Sequence, residues 1–237
     1  AGSFRIRLIE GEGPARLPFF VSPSVTCRGI AVLARPGEKR NRCVMQRAYV
    51  HVRGACLSGV VAMFMRSERL FLRPCWPEDW LELLVSIDDE GVVRNLASAP
   101  WPYTSDDARA FVEREQERLL PQFFITVPSA EGTRLVGSVG LSRDGEDVEL
   151  GYWIARSHWG QGYATEAARA VLSQARAMGH RRIVAGHFVD NPASGRVLRK
   201  VGFKPTGERR IRYSERRKGV GMTASYAITF DERNDCG

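Results

Sequence analysis

The sequence has few of the residues that build metal sites or disulfide frameworks. Its 237 residues include five cysteines and four histidines. The cysteines, at positions 27, 43, 56, 75 and 236, form no close pair and no CxxC motif. Structural zinc sites and disulfide scaffolds need such residues in clusters. We therefore expect no metal, no disulfide framework and a reducing, cytoplasmic setting.

Long apolar runs are also missing. The longest is six residues, from Val60 to Met65, whereas a membrane-spanning helix needs about 20. The first residues of the sequence lack the apolar segment of a secretory signal. These absences predict a protein with no membrane partner. A composition of 43% hydrophobic and 26% charged residues is typical of a globular protein.

Positive charge is concentrated in the first quarter of the chain. Residues 1–62 contain ten lysines and arginines against three acidic residues, whereas residues 63–237 contain 25 against 24. The net charge of +8 therefore says little about the main domain. We interpret residues 1–62 as a basic leader that is disordered or foreign to the native protein, and residues 63–237 as one domain. The alternative is a basic arm that binds RNA or the ribosome surface; we expect no other nucleic-acid contact.

From Ser67 onwards, the sequence patterns predict regular elements. RLFLRP (69–74) alternates like a strand that ends at a proline. Two amphipathic helices follow, the first closed by Gly91, and the second capped by Thr104 and extending to Pro121. Three strands joined by turns that contain glycine come next, at residues 123–127, 134–142 and 148–154.

The second half of the domain predicts two helices and further strands. Alanine, valine and leucine recur at helical spacing and predict a helix over residues 162–178. A strand over residues 182–189 follows, then a helix that Asn191 caps and Gly202 ends, and two closing strands. This order of elements predicts an α/β fold: a mixed, mostly antiparallel sheet with helices on both faces.

A glycine-rich turn leads into the longer helix. Gly160, Gln161 and Gly162 follow a predicted strand closely. The N-terminus of a helix exposes unpaired N–H groups and a partial positive charge. Two glycines permit backbone conformations in which these groups converge on an anion. The turn lacks the lysine of a P-loop and the full dinucleotide fingerprint, so an ordinary tight turn is the alternative to a phosphate site.

Several segments carry a more specific signal together than this turn carries alone. They are SERLFLRP (67–74), PWPYTSDDA (100–108), ELGYWIARSHWGQGYATEA (149–167) and NPASGRVLRKVGF (191–203). In this order they resemble the GNAT superfamily of acetyl-CoA-dependent N-acetyltransferases over residues 66–230. The resemblance is closest to the branch of ribosomal-protein alanine N-acetyltransferases (Rim type). It implies a V-shaped splay between the two central strands of the sheet.

The resemblance also implies how acetyl-CoA binds as a co-substrate. Its pyrophosphate is expected at the amides of five residues at the helix start: Gln161, Gly162, Tyr163, Ala164 and Thr165. The pantetheine arm is expected along the backbone of Trp153, Ile154 and Ala155. Asn191 is expected to hold a pantetheine amide or a water. A bulge at Gly151 would aim an N–H at the thioester carbonyl as an oxyanion donor.

The chain departs from the superfamily pattern at two positions. Trp159 stands where an arginine or glutamine usually heads the phosphate turn, so a basic contact is lost. The tyrosine that often serves as general acid would fall at Leu198, which leaves that role vacant. In the Rim-like branch the matching positions at the helix start are Asn191 and Ser194, so the resemblance implies that Ser194 hydrogen-bonds or protonates the departing CoA thiolate. For Asn191 and Ser194 the alternative is helix capping.

An amine nucleophile must lose a proton, and Glu149 is the candidate base. It lies on the strand beside the cofactor, and the alternative is a surface glutamate in a salt bridge. His187 is more typical of a packing residue. Trp101 and Tyr103 are expected to line the acceptor entrance, and the alternative is a hydrophobic turn stiffened by proline.

The resemblance predicts an enzyme, an acyltransferase that moves an acetyl group from acetyl-CoA to a primary amine by direct attack. No cysteine falls in a cleft motif, which favours direct transfer over a covalent enzyme intermediate. The predicted acceptor is a protein N-terminal residue, as in the ribosomal-protein enzymes. The alternatives are a small amine (amino acid, polyamine or antibiotic) or a non-catalytic acyl-CoA-binding module. The sequence leaves open whether the chain forms a homodimer.

Overall fold

The structure, a computed structural model, describes residues 63–130 and 132–230, together with the backbone of short strands before them. The strands are β1 (Thr26–Cys27), β2 (Val44–Ala48), β3 (Val50–His51), β4 (Ala62–Arg66), β5 (Phe71–Arg73), β6 (Gln122–Ser129), β7 (Gly132–Asp144), β8 (Asp147–Ile154), β9 (Arg182–Phe188), β10 (Lys204–Ser214) and β11 (Gly219–Thr229). The helices are α1 (Trp80–Ile87), α2 (Glu90–Val93), α3 (Ser105–Val112), α4 (Tyr163–Ala177) and α5 (Pro192–Lys200). Most of the leader predicted over residues 1–62 lies outside the described residues.

The strands form one large mixed sheet in the order β10-β11-β9-β8-β7-β6-β5-β4-β2, and β1 pairs with β3 separately. Neighbours in the large sheet are antiparallel, except for β8 and β9, which are parallel. The predicted meander is present as β6, β7 and β8, and the turn between the last two contains Gly145 at a φ of 63°. The predicted mixed, mostly antiparallel sheet is confirmed.

Helices cover both faces of this sheet and create two hydrophobic cores. On one face, α4 and α5 bury small and aliphatic side chains, among them Ala167, Val171 and Leu198, against the sheet. On the other, α1 to α3 pack over Phe124 and Leu135. The alanine-rich stripe of α4 lets the helix approach the strands closely, since small side chains occupy the interface. The predicted two-sided arrangement of helices is confirmed.

β8 has very different neighbours on its two sides. Its ladder with β7 is continuous from Asp144–Asp147 to Gly137–Ile154. With β9 it shares a single bridge, between Glu149 and Val184. Beyond that bridge the two parallel strands continue without pairing. We call the gap between residues 150–154 of β8 and residues 185–188 of β9 the seam; it is the predicted V-shaped splay.

Three local predictions differ from the structure. Asp89 caps the separate short helix α2 through a bond from the Val92 amide, so Gly91 lies inside a helix and does not close α1. Helix α3 has the predicted capping box at Thr104 but ends at Val112, well before Pro121. The bulge expected at Gly151 is also absent, since the β7–β8 register has no shift.

The register shift in this part of the sheet lies instead between β6 and β7, beside Ile125 and Thr126. The extra residue on β7 is Val136, whose carbonyl accepts a bond from the amide of Ala155 at 2.8 Å. A bulge bends a strand and increases its twist. The distortion therefore acts on β8 from the neighbouring strand, at the end where the seam opens.

Candidate active site

Helix α4 begins with backbone amides that no side chain caps. Gly160 and Gly162 both have left-handed conformations, with φ of 77° and 81°. A Cβ at Gly160 would meet nothing within 4 Å, so the turn is open to a ligand. Residues without side chains and a helix N-terminus form an anion-binding concavity. We call this turn, with the amides of residues 161–164, the phosphate cradle.

Thr165 differs from the other residues predicted to contact the pyrophosphate. Its amide donates to the Gly162 carbonyl at 3.1 Å, and the Glu166 amide donates to the same oxygen at 3.1 Å. These bonds tighten the first turn of α4. Four amides of the predicted set remain available to the pyrophosphate: those of Gln161, Gly162, Tyr163 and Ala164.

Arg69, between β4 and β5, supplies a positive charge at the cradle that the sequence did not predict. Its Nη1 donates to the Gln161 carbonyl at 2.9 Å, and its guanidinium lies 4.9 Å from the centre of the Tyr163 ring. It also pairs with Glu166 at 2.8 Å. Although burial opposes it, hydrogen bonds from Ser67 and Arg69 hold the pKa of Glu166 below its ordinary value. Arg69 therefore fixes the cradle and brings a cation beside it.

Trp159, the residue expected to cost a basic contact, has a structural role. Its Nε1 donates to the Ile154 carbonyl at 2.7 Å, which ties the cradle loop to the end of β8. Arg156 stacks on its ring at 4.7 Å. Burial, and then the charge of Arg134, lower the pKa of the neighbouring His158. This shift disfavours the charged form of the imidazole, whereas the arginines beside the cradle carry a fixed positive charge.

The alternation of β8 determines which backbone groups point into the seam. In an antiparallel ladder, the amide and carbonyl of one residue point to the same side, and those of the next residue point to the other. Because the Ala155 amide bonds to β7, Trp153 also directs its backbone to β7. Tyr152 and Ile154 direct theirs to the seam. Of the three residues predicted to contact pantetheine, Ile154 directs its backbone groups to the seam, whereas Trp153 and the Ala155 amide face β7. Tyr152, which was not in the predicted set, also directs its backbone groups to the seam.

Side chains on the face of β8 that points toward α1–α3 leave an opening beside Glu149. Gly151 is exposed, and a Cβ there would meet nothing within 4 Å. Across the seam, a Cβ at Gly186 would lie 3.7 Å from Glu149 Oε1. The two glycines therefore leave space through which the seam can be reached from the face opposite α4 and α5.

Glu149 forms a bidentate ion pair with Arg212 of β10. The two guanidinium–carboxylate distances are 2.8 and 3.0 Å, and Arg212 also contacts Asp144 at 3.3 Å. The hydrogen bond with Glu149 raises the pKa of Arg212. The predicted base thus lies beside the seam, and it also makes the salt bridge that was the alternative interpretation.

A groove lined by residues of β7 to β11 lies beside this pair. Its lining includes three acidic side chains, Asp144, Glu149 and Glu208, and three basic ones, Arg182, Arg210 and Arg212. Arg210 contacts both Asp144 and Glu208 at 3.3 Å. The groove is therefore balanced in charge.

Helix α5 begins on the opposite side of the sheet. Asn191 Oδ1 accepts a bond from the Ser194 amide at 3.3 Å, so Asn191 is the N-cap that the alternative interpretation described. Ser194 Oγ lies 2.7 Å from the hydroxyl of Tyr152. The sequence patterns gave no sign of this contact, which crosses the seam from β8 to α5.

The remaining candidates lie away from the seam opening or pack within the core. Tyr103 is 9% exposed and lies in the core beneath α1–α3, and burial raises its pKa to about 12. Trp101 packs partly against the same core. Both residues therefore make the packing contacts of the hydrophobic turn, and their place at the acceptor entrance stays a prediction. The His187 ring packs at a tilt against the ring of Tyr226, as expected of a packing residue.

Comparison with known proteins agrees with this geometry. The family model described as "Acetyltransferase (GNAT) domain" matches residues 69–204, which is more than half of the chain and includes the part of the site from Arg69 to α5. This chain belongs to the GNAT acetyltransferase family. It is therefore an acyltransferase, as the sequence predicted.

Several N-acetyltransferases are similar to parts of this chain. It is 27% identical over 148 residues to the uncharacterized N-acetyltransferase YnaD of Bacillus subtilis, covering 61% of this chain and 85% of that protein. It is 36% identical over 116 residues to the ribosomal-protein-serine acetyltransferase of Escherichia coli, covering 45% and 63%. It is 40% identical to YoaA of B. subtilis over 77 residues, covering 31% of this chain and 44% of that protein. The likeness is consistent with the Rim-type branch.

Solved structures of GNAT proteins have the same fold. The acetyltransferase of Bacillus anthracis gives a TM-score of 0.60 at 26% identity, covering 70% of this chain and 98% of that one. RimL, an L7/L12 α-N-protein acetyltransferase, gives 0.58 at 22% identity, covering 72% and 96%. Among the described residues, no helix is long and apolar enough to cross a bilayer, and no group of three or more potential metal ligands is present.

Proposed function

We propose that this protein transfers an acetyl group from acetyl-CoA to a primary amine by direct attack of the amine on the thioester. The observation that carries the proposal is the single bridge between β8 and β9, next to an uncapped helix start. The seam gives the co-substrate an edge of free backbone groups, and the cradle gives its phosphates converging amides. No other part of the described chain combines these two features.

The residues present fit acetyl-CoA as the co-substrate. The pyrophosphate would be held by the amides of the cradle, with Arg69 beside it. Pantetheine amides would pair with the seam-directed groups of Tyr152 and with the amide of Ile154, whose carbonyl already accepts a bond from Trp159. The Asn191 carboxamide would contribute its NH2 end. Bound there, acetyl-CoA supplies an activated acetyl group; the protein supplies position and charge.

The seam-directed amide of Tyr152 is our candidate for the oxyanion donor, in place of the bulge expected at Gly151. A fixed N–H that points at the developing negative charge stabilises the transition state. Tyr152 directs this group to the seam because of the regular alternation of β8. The donor therefore needs no local distortion of the strand that carries it.

Glu149 remains the proposed base. The amine approaches through the opening at Gly151 and Gly186, where the carboxylate lies, and gives up its proton directly or through water. Arg212 retains a carboxylate partner while this happens, because Asp144 already contacts it at 3.3 Å. The ion pair therefore holds the base in place without having to be broken entirely.

The acceptor that the groove supports best is the N-terminal residue of a protein. A polyamine would be drawn to a net negative pocket, whereas this groove balances its acidic groups with arginines. An extended peptide can pair its own charged and polar groups with such a lining. The 36% identity to a ribosomal-protein-serine acetyltransferase supports the same acceptor class.

A thiol-release assay tests the proposal. The full chain is incubated with acetyl-CoA and, separately, with peptides that begin with alanine or serine, the same peptides blocked at the N-terminus, amino acids and polyamines. We expect CoA release with the free peptides and none with the blocked ones. Release only with small amines would support the alternative acceptor. CoA binding in a calorimeter without turnover of any amine would support a binding module, and no CoA binding would contradict the proposal altogether.

A further inference from the structure

A phenol crosses the seam at the level of the proposed thioester. The Tyr152 side chain leaves β8 on the α4–α5 face, and its hydroxyl reaches the first turn of α5. It lies 2.7 Å from Ser194 Oγ and 3.1 Å from the Ser194 carbonyl oxygen. The backbone of the same residue faces the seam, so both its amide and its phenol lie beside the path assigned to pantetheine.

The two contacts at Ser194 compete for one phenol proton. When the phenol donates to the carbonyl, the Ser194 hydroxyl must donate to the phenol oxygen. When the phenol donates to Oγ, the Ser194 O–H group no longer donates to the phenol and can point elsewhere. Each hydroxyl has one proton and can accept as well as donate. The pair is therefore a proton chain whose outer end can turn toward an acceptor in the seam.

The surroundings keep this phenol protonated. Burial raises the pKa of Tyr152 to about 12, so at neutral pH it is a neutral donor. The nearest other titratable groups form their own cluster, in which Tyr226 contacts Arg199 at 3.3 Å and His187 at 3.4 Å. One turn after Ser194, helix α5 carries the buried, apolar Leu198 and offers no phenol of its own.

We propose that Tyr152 supplies, through Ser194, the proton that the CoA sulfur takes up when the acetyl group leaves it. This inference rests on the proposed acetyl transfer. As the new C–N bond is completed, the C–S bond breaks and its electron pair stays on sulfur. The Ser194 proton passes to sulfur, the phenol proton passes to Ser194 Oγ, and water reprotonates the phenolate. Tyr152 thus positions the Ser194 hydroxyl and replaces the proton that it gives up, and Ser194 contacts the leaving group.

The first test replaces the phenol and reads the bound thiol without turnover. Tyr152→Phe removes the hydroxyl and keeps the ring, and Tyr226→Phe is the matched control on the neighbouring cluster. The apparent pKa of the bound CoA thiol is measured by following thiolate absorbance as the pH is raised. The absorbance of the complex with S-methyl-CoA, which has no free thiol, is subtracted as background. A hydrogen bond donated to a thiolate lowers the thiol pKa. We expect that pKa to rise in Tyr152→Phe and to stay unchanged in Tyr226→Phe; no rise in Tyr152→Phe would overturn the inference.

Kinetics of the same variants give a second readout. We expect Tyr152→Phe to lower kcat by about 10- to 100-fold with KM for acetyl-CoA nearly unchanged, the scale of losing proton assistance. The double variant with Ser194→Ala should be no slower than Ser194→Ala alone, because the two hydroxyls act as one chain. Losses that multiply would contradict a shared chain. An inactive wild-type protein would instead contradict the proposed function.

Fluorotyrosines at position 152 separate proton supply from packing, even if Tyr152→Phe fails to fold. Fluorination keeps the ring and hydroxyl but makes the phenol more acidic. An acid must be protonated to act, so kcat should fall as pH rises through the phenol pKa. We expect the alkaline limb of the kcat profile to move to lower pH as fluorine atoms are added. A limb that stays in place in every fluorinated protein would leave Tyr152 a packing residue.

Discussion

The two helices that begin beside the seam treat their first amides differently. At α5, the Asn191 side chain accepts the Ser194 amide and Pro192 has no amide to satisfy. At α4, the preceding residue is Gly162 in a left-handed conformation, and no side chain caps the helix. Both ends carry the same partial positive charge. The first amides of α5 are used to stabilise the helix itself, whereas those of α4 remain available to a ligand.

The largest effect is expected from blocking the uncapped end. Gly162→Glu places a negative side chain where the phosphates would bind, and charge-assisted bonds to the cradle are lost. We expect the Kd for CoA, measured by calorimetry, to rise by about 100-fold or more. Gly179, at the other end of α4, also has a left-handed φ of 90°. Gly179→Glu therefore controls for backbone strain and should bind CoA normally; equal binding by both variants would show that the cradle is not the phosphate site.

A smaller effect on binding, but a large one on turnover, is expected at Glu149. Glu149→Gln keeps the shape of the side chain and removes the base, so kcat should fall by about 100-fold and the pH profile should change. The affinity for CoA should stay within about twofold, because Glu149 lies off the cradle. Asp147→Asn, two residues earlier on the same strand, is the control that removes a carboxylate paired with Arg182. Wild-type rates at every pH in Glu149→Gln would eliminate Glu149 as the base.

Removing Arg69 tests whether the uncapped end depends on support from the N-terminal side of the domain. Arg69→Ala loses the bond to the Gln161 carbonyl and the pair with Glu166. We expect the Kd for CoA to rise about 10-fold. Arg143, exposed and paired with Glu117, gives the matched control Arg143→Ala. If both variants bind CoA equally, Arg69 has no part in shaping the cradle.

The smallest effect is expected at the capped end. Asn191→Ala should lower the free energy of unfolding by about 1 kcal/mol, the usual value of an N-cap, measured by urea denaturation. Asn191→Asp retains an oxygen for the Ser194 amide and should restore that stability. The same variant lacks the NH2 group assigned to pantetheine. Weaker CoA binding by a stable Asn191→Asp protein would show that the residue serves the ligand as well as the helix.

Features that depend on neighbouring residues in the sequence were predictable. The helix α4, its glycine turn and the cap at Asn191 all follow from short-range spacing and from the chemistry of glycine and asparagine. The splay of β8 from β9 came from the likeness to a family. The end of α3 was placed too late because the charged sequence after Val112 keeps a helical composition, although the chain turns there to reach β6.

Contacts between distant segments were not predictable from these patterns. Arg69 meets Gln161 across 92 positions, Glu149 meets Arg212 across 63, and Tyr152 meets Ser194 across 42. Nothing in the local sequence of either partner marks such a meeting, because it depends on how the sheet brings the strands together. The bulge was misplaced for a similar reason, since the register shift belongs to the pairing of β6 with β7.

Between β8 and β9, the two parts of the large sheet are joined by a single bridge, at Glu149 and Val184. On the proposed function, acetyl-CoA would link these two parts further, because it hydrogen-bonds to the unpaired backbone groups of the seam. A ligand that binds only the folded form stabilises it by about 2.7 kcal/mol at 100 times its Kd. The supply of acetyl-CoA would then govern how long the folded enzyme lasts at elevated temperature, in addition to how fast it works.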